Sequence, residues 1–251
     1  MSDSDLNMDI RRWWKIPPGI ISANARRLRV RLGALSLSLG ALAALAGCRG
    51  STVARGPAAV SSPAVSPDDR PLILFVGTSL TAGYGVDPDD AFPALVQKKL
   101  DAAGLRYRAV NAGVSGETSA GARRRIDWLL RQRVAVLVLE TGANDGLRGQ
   151  DPQATRENIQ TILDAARRAQ PPPNLVLVAM EALPNYGADY RRQFRAIYPE
   201  LAKKNGATLV PFLLEGVAGD PSLNQPDGIH PTAAGHRRVA ETVWKALQPI
   251  L

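Results

Sequence analysis

Ser79, Asp227 and His230 have the residue types and the local settings for nucleophilic acyl chemistry. Residues 72–76 are five consecutive apolar residues rich in β-formers, and Gly77-Thr78 breaks the run just before Ser79. A buried strand that ends on Gly fixes a position and then lets the backbone turn sharply, a good way to present a nucleophile. The same pattern also describes a strand followed by an ordinary Ser N-cap. Asp227 and His230 stand three apart in Gln225-Pro226-Asp227-Gly228-Ile229-His230-Pro231. A turn punctuated by Pro and Gly can fold the carboxylate back onto the imidazole Nδ1–H. That fixes the tautomer and leaves Nε2 free to take a proton from a serine. The plain alternative is a capped helix start with a surface His. The chain has two His, so any histidine base is His230 or His236, and His236 follows Gly235 on an expected helix, the weaker position.

Acyl chemistry through a serine also needs donors aimed at the developing oxyanion. Gly116 offers an N–H in the open Gly/Ser loop at 112–118, Asn144 offers a side-chain amide just past an apolar run, and the Ser79 N–H is a third donor. A turn Gly and an Asx-turn Asn would account for the first two taken singly. Their joint placement at strand ends favours the oxyanion reading. Position 81 is Thr, so Gly-x-Ser-x-Gly is absent around Ser79 and a nucleophile elbow of the α/β-hydrolase type is not supported. A Walker A loop and G-x-G-x-x-G are absent as well.

The elements that would hold these groups alternate along the chain. Strands are expected at 72–76, 106–111, 134–139, 175–180 and 207–211. Helices are expected at 92–103, 119–132, 152–169, 189–204 and 231–247, the last with Pro231 at its start. Residues 212–224 read as irregular or partly helical. Alternation of this kind predicts a parallel sheet covered on both faces, a three-layer α/β/α domain, with ligands beyond the carboxyl ends of the strands. Leu147, Met180, Leu183 and Pro184 fall in loops after the third and fourth strands, where they could line an acyl groove or simply pack the loops.

Charge is unevenly spread. Net charge is +8, but residues 1–47 hold seven of the 31 Lys/Arg and three of the 23 Asp/Glu, so much of the basicity lies in the leader. No basic patch interleaved with aromatics and no zinc-like Cys/His cluster argues for nucleic acid. Arg26-Arg27-Leu28-Arg29-Val30-Arg31 precedes an uncharged, apolar or small stretch at 32–46, which is short for a membrane span and has the layout of a secretory signal. It ends in Leu45-Ala46-Gly47-Cys48, which resembles the lipobox of bacterial lipoproteins, with the chain's single Cys at the acylated position. A plain signal peptide with an incidental Cys is the alternative. The resemblance implies a membrane anchor through lipidated Cys48. Arg at position 49 favours the outer membrane, on the periplasmic side of a cell envelope. Residues 48–69 are small, polar and Pro-containing, and read as a flexible tether. The expected organisation is therefore a signal peptide at 1–47, a tether at 48–69 and a catalytic domain at 70–251.

Gly77-Thr78-Ser79-Leu80, Gly116, Gly142-Ala143-Asn144-Asp145 and Asp227-Gly228-Ile229-His230-Pro231 resemble, in order, the four blocks of the SGNH, or GDSL, hydrolases. Longer stretches (GTSLTAGYG, NDGLRG, PNYG, AIYPELAKK, DGIHP) are similar to the bacterial thioesterase I/lysophospholipase/arylesterase branch, and the likeness spans about residues 71–250. The resemblance implies Ser79 as nucleophile, His230 as base and Asp227 as its orienter. It implies an oxyanion hole of Ser79, Gly116 and Asn144. It also implies a flavodoxin-like sheet of five parallel strands in order 2-1-3-4-5, with no metal and no cofactor. Thr78 departs from the family's usual Asp before the Ser. The implied activity is hydrolysis of small-molecule carboxylic esters: aryl and short-to-medium acyl esters, lysophospholipids and possible thioesters. The enzyme is expected to be a monomer. Carbohydrate O-deacetylation is the rival within the same chemistry. A non-catalytic envelope lipoprotein binding lipid or peptidoglycan is the rival outside it, disfavoured because every triad and oxyanion position is filled.

Overall fold

A computed structural model describes residues 69–251. The leader at 1–47, Cys48 and all but the last residue of the expected tether lie outside the described residues.

Five strands form one parallel sheet: β1 (Leu72–Gly77), β2 (Arg108–Gly113), β3 (Val134–Glu140), β4 (Asn174–Val178) and β5 (Thr208–Val210), in the order β2-β1-β3-β4-β5. This is the three-layer α/β/α fold and the strand order expected from the sequence. The central strands are apolar on both sides because helices cover both faces. Ile73, Leu74 and Val76 of β1 and Leu137 and Leu139 of β3 have no exposed surface. Burying each such side chain contributes about 1.5–3 kcal/mol. Among the described residues seven α-helices alternate with the strands: α1 (Ser79–Ala82), α2 (Phe92–Ala102), α3 (Ser119–Leu129), α4 (Ala143–Leu147), α5 (Pro152–Arg168), α6 (Gly187–Asn205) and α7 (Ala233–Leu247). α3, α5 and α6 pack side by side, and α2 packs on α7.

Of the boundaries that differ from expectation, three bear on the site. β2 runs two residues later than 106–111, with Gly77 registered on Gly113. Gly113 reads as loop in sequence, yet a Cβ there would lie 2.2 Å from the Ala82 N, so its bareness is what lets β2 pass under α1. β4 ends at Val178 rather than 180. The last helix begins at Ala233, capped by Thr232, whose hydroxyl accepts the Gly235 N–H at 3.3 Å. Pro231 instead bridges Asn224, and its carbonyl accepts from Gln225 Nε2 at 2.9 Å, so it closes the preceding loop and does not open the helix.

Candidate active site

Every strand of a parallel sheet delivers its following loop to the same edge, and there the candidate residues meet. β1 ends at Gly77, Thr78 stays extended (φ −95°, ψ −153°), and Ser79 begins α1. As the first residue of a helix, Ser79 has an N–H with no intrahelical acceptor. The turn is held from beneath. Glu140, at the end of β3, accepts the Thr78 N–H at 2.8 Å, the Thr81 hydroxyl at 2.9 Å and the Thr78 hydroxyl at 3.0 Å. Gly77 is obligatory there, because a Cβ would sit 2.0 Å from the Thr81 Oγ1 and 2.6 Å from Glu140 Oε2.

The loop before α7 folds as its Asp-Gly-Ile-His spacing predicts. Asp227 Oδ1 accepts the Ile229 and His230 N–H groups at 3.0 and 3.1 Å, while Oδ2 lies 2.7 Å from His230 Nδ1. Gly228 supplies the left-handed turn at φ 74°. His230 Nε2 is 2.9 Å from Ser79 Oγ. Gln225 ties this loop to the one after α1 by donating to the Tyr84 carbonyl at 2.7 Å. The Tyr84 ring lies 4.6 Å from that of His230. Burial pushes the Asp227 carboxyl up, but the hydrogen bonds from the His230 ring and from the two N–H groups outweigh it and hold the group below its usual range. Asp227 is therefore ionised wherever the imidazolium needs a counter-charge.

The oxyanion side is built from the loops after β2 and β3. Asn144 is on α4, a short helix where the sequence suggested only a loop. Gly142 enters it at φ 96°, with the Tyr198 hydroxyl 2.4 Å from where a Cβ would be. Asn144 Nδ2 donates one hydrogen to the Glu117 carbonyl at 3.0 Å, which leaves its second N–H. Gly116 has φ 78°, and Arg148 donates to its carbonyl at 3.1 Å. Asp145, fully buried, accepts from the Ser119 N–H at 2.8 Å and hydroxyl at 2.6 Å, locking α4 onto the start of α3. The two loops are thus fixed to each other, not merely neighbours.

Ser79, Gly116, Asn144 and His230 share one cleft. Its apolar wall includes Leu80, Leu147, Met180, Leu183, Leu214 and Ile229. Pro184 does not line it: it opens the 3₁₀ turn Pro184–Tyr186, whose Tyr186 hydroxyl donates to the Leu147 carbonyl at 3.0 Å. His236 is 1 % exposed, and its Nδ1 accepts the Phe92 N–H at 3.3 Å, so it packs α7 on α2. Burial pushes its pKa from 6.5 down to about 4. Sequence reasoning missed Glu140 and Asp145. Burial pushes the Glu140 carboxyl from 4.5 up to about 7, against the lowering effect of its hydrogen bonds. A charged residue closing an apolar strand was the one available signal for Glu140. Chemically, the arrangement can move a proton from Ser79 to His230 beside donors placed for an anionic oxygen.

The profile of the GDSL-like lipase/acylhydrolase family matches residues 75–238. The chain is 41% identical over 180 residues to "Esterase TesA" of Pseudomonas aeruginosa, covering 71% of this chain and 89% of that protein. It is 39% identical over 180 residues to "Thioesterase 1/protease 1/lysophospholipase L1" of Escherichia coli K12, covering 71% and 84%. A crystal structure of TesA superposes with a TM-score of 0.68 at 40% identity, over 72% of this chain and 99% of the other.

Proposed function

The chain belongs to the GDSL-like lipase/acylhydrolase family and is a carboxylic ester hydrolase, and we propose that it works through an acyl-enzyme on Ser79. The observation that carries this reading is the continuous chain from Ser79 Oγ to His230 Nε2 at 2.9 Å and from His230 Nδ1 to Asp227 Oδ2 at 2.7 Å. Ser79 Oγ attacks the ester carbonyl as His230 Nε2 takes its proton, and ionised Asp227 stabilises the imidazolium. The negative charge moves to the former carbonyl oxygen, facing the N–H groups of Ser79 and Gly116 and the free amide hydrogen of Asn144. Collapse expels the alkoxide, which leaves as the alcohol with the proton from His230. Water then gives its proton to His230 and attacks the acyl-enzyme, and the carboxylic acid departs with Ser79 restored.

The substrates are aryl and short-to-medium acyl esters, with lysophospholipids and acyl thioesters in the same class. The apolar wall of Leu147, Met180 and Leu183 supports an acyl chain, and so do the activities named for the two relatives. The experiment is mass spectrometry after treatment with a serine-directed fluorophosphonate, with Ser79→Ala alongside. Adduct on Ser79 and none in the variant is expected. No adduct in folded wild-type protein overturns the reading.

In the same reading Cys48 is acylated, becomes the new N-terminus and holds the enzyme at the envelope on the periplasmic side, with the outer membrane favoured. Leu45-Ala46-Gly47-Cys48 behind an apolar stretch and a basic flank supports this. Mass analysis of the mature N-terminal peptide tests it: a diacylglyceryl-modified Cys48 is expected, and an unmodified Cys48 sinks the anchor.

A further inference from the structure

The edge of the sheet opposite the cleft is a net basic surface with an exposed tryptophan on it. In a parallel sheet the strand N-termini share one edge, and the register here pairs Leu72 with both Arg108 and Val134, and Val136 with Asn174. α3, α5 and α6 each lead into the N-terminus of the next strand, so their C-terminal ends lie at that edge too. Trp128, in the last turn of α3, is 65% exposed, the highest value among the exposed large hydrophobic residues. Arg131 and Arg133 follow it in the connection to β3, Arg168 ends α5, and Lys203 and Lys204 are in the last turn of α6. All five cations are exposed, and none has an ion-pair partner among the described residues. The exposed carboxylates at this edge are Asp127 at the end of α3, Asp101 at the end of α2 and Asp69 before β1; with Arg106 before β2 as a sixth exposed cation, the edge stays net positive.

Cations in a last helical turn complement the helix dipole. That accounts for Lys203, Lys204 and Arg168, but not for Arg131 and Arg133 beyond α3, nor for the bare indole of Trp128 just before them. The opposite edge leans the other way: Asp87, Asp89 and Asp151 are exposed around the helix N-termini there, against the exposed Arg148, while Asp189 is paired with Arg192. The domain is thus polarised along the strands, basic at one end and acidic at the end that carries the cleft.

We propose that the basic edge docks on an anionic phospholipid leaflet, with Trp128 at the headgroup level and Arg131, Arg133, Lys203 and Lys204 against lipid phosphates. Indole rings partition to the water–lipid interface, and clustered cations beside them are drawn to anionic lipid. The point of chain entry supports this occupant. The segment that follows the expected signal, from Cys48 onward, joins the domain at Asp69, three residues before β1 begins at this same edge. The acidic edge is repelled from the same leaflet, which sets orientation as well as affinity. The docked enzyme therefore opens its cleft away from the lipid, and its esters arrive from the aqueous side. Docking requires neither acylation of Cys48 nor the proposed catalytic step.

Hydrogen–deuterium exchange of the full chain, bound to phosphatidylglycerol-rich vesicles and separately to pure phosphatidylcholine vesicles, tests this. A lipid anchor at Cys48, or an uncleaved leader, can engage both, so the comparison isolates the charged face. Protection of residues 124–134 and 203–206 is expected on the anionic vesicles alone, lost in high salt and in a combined Arg131→Glu, Arg133→Glu, Lys203→Glu, Lys204→Glu variant. Hydrolysis of a water-soluble ester by that variant is expected to match wild type, which separates failure of docking from failure of the fold or the chemistry. Equal exchange on the two vesicle types overturns the proposal. Protection at Tyr84 and Leu147 also overturns it, since the cleft would then face the leaflet.

Discussion

Glu140 Oε2 accepts the Thr78 N–H at 2.8 Å, so the residue next to the proposed nucleophile is held by a fully buried carboxylate from the neighbouring strand. With the Thr78 and Thr81 hydroxyls also donating, three donors converge on one side chain. The family's usual Asp at this position would set a second carboxylate against Glu140; Thr78 supplies a donor instead. The clamp fixes where α1 begins, and hence where the Ser79 N–H and Oγ point.

Removing the acceptor should therefore cost more than removing the charge. Glu140→Ala strands three buried donors, and about 1–3 kcal/mol for each unsatisfied group predicts a large fall in stability. Glu140→Gln keeps an oxygen for the Thr78 N–H and Thr81 hydroxyl, and its amide can donate to Thr78 Oγ1. Thermal unfolding and the rate of fluorophosphonate labelling should both drop sharply in the Ala variant and little in the Gln variant. Equal effects in the two would show that the hydrogen bonds are not what matters.

Two buried titrations oppose each other over the same pH range. Glu140 is raised from 4.5 to about 7 by burial, so the folded state holds its proton longer, and this group lowers stability as pH rises through that window. His236 is lowered from 6.5 to about 4 by burial, so the unfolded state binds the proton first, and this group lowers stability as pH falls through its window. Each shift corresponds to about 3 kcal/mol. They nearly cancel between pH 4.5 and 6.5. Glu140→Gln should unmask a stability that climbs with pH there, and His236→Gln one that declines. Denaturant unfolding of the two variants at each end of the window checks this, and slopes of the same sign would contradict it.

Gly77→Ala should act on the same clamp from the other side. Its Cβ would overlap the Thr81 hydroxyl at 2.0 Å and Glu140 at 2.6 Å, so β3 and α1 must part. Overpacking of this kind costs about 1–3 kcal/mol. Labelling of Ser79 should slow by more than the loss of stability explains. A normal labelling rate in the folded variant would mean that the clamp does not position Ser79.

Much of the site was legible because it is local. Residues 72–76 and 134–139 announce buried strands by unbroken apolar runs, and Asp227 and His230 meet through a turn that their own spacing encodes. What was missed depends on distant partners. Gly113 pairs in register with Gly77, and it must be Gly because the Ala82 backbone comes close to it. Glu140 and Asp145 are buried because Thr78, Thr81 and Ser119 arrive from other elements. α7 starts after Thr232 and not at Pro231 because Pro231 is engaged by Asn224 and Gln225. Except for Pro231 and its partners, no short window of sequence contains both members of these pairs.

Asn144→Ala tests the oxyanion donors. Loss of one such donor costs about 2.7–4 kcal/mol, a fall of roughly 10²–10³ in kcat, with KM nearly unchanged because the charge exists only in the transition state. Steady-state kinetics on a soluble aryl ester reads both constants. A rise in KM at constant kcat would make Asn144 a ground-state contact instead.

The apolar wall makes the last prediction. If the acyl chain lies along Leu147, Met180 and Leu183, each added methylene should raise kcat/KM by about fourfold, from about 0.8 kcal/mol of burial, until the chain outgrows the cleft. Met180 is 4% exposed, so a larger ring in its place projects into the cleft rather than into solvent. Met180→Trp should then leave acetyl ester turnover close to wild type and cut off the gain at a shorter chain length. A chain-length series of aryl esters on both proteins measures this. A proportional loss at every length would place Met180 in loop packing alone, and the acyl chain would have to run along Leu214 and Ile229 on the His230 side of the cleft.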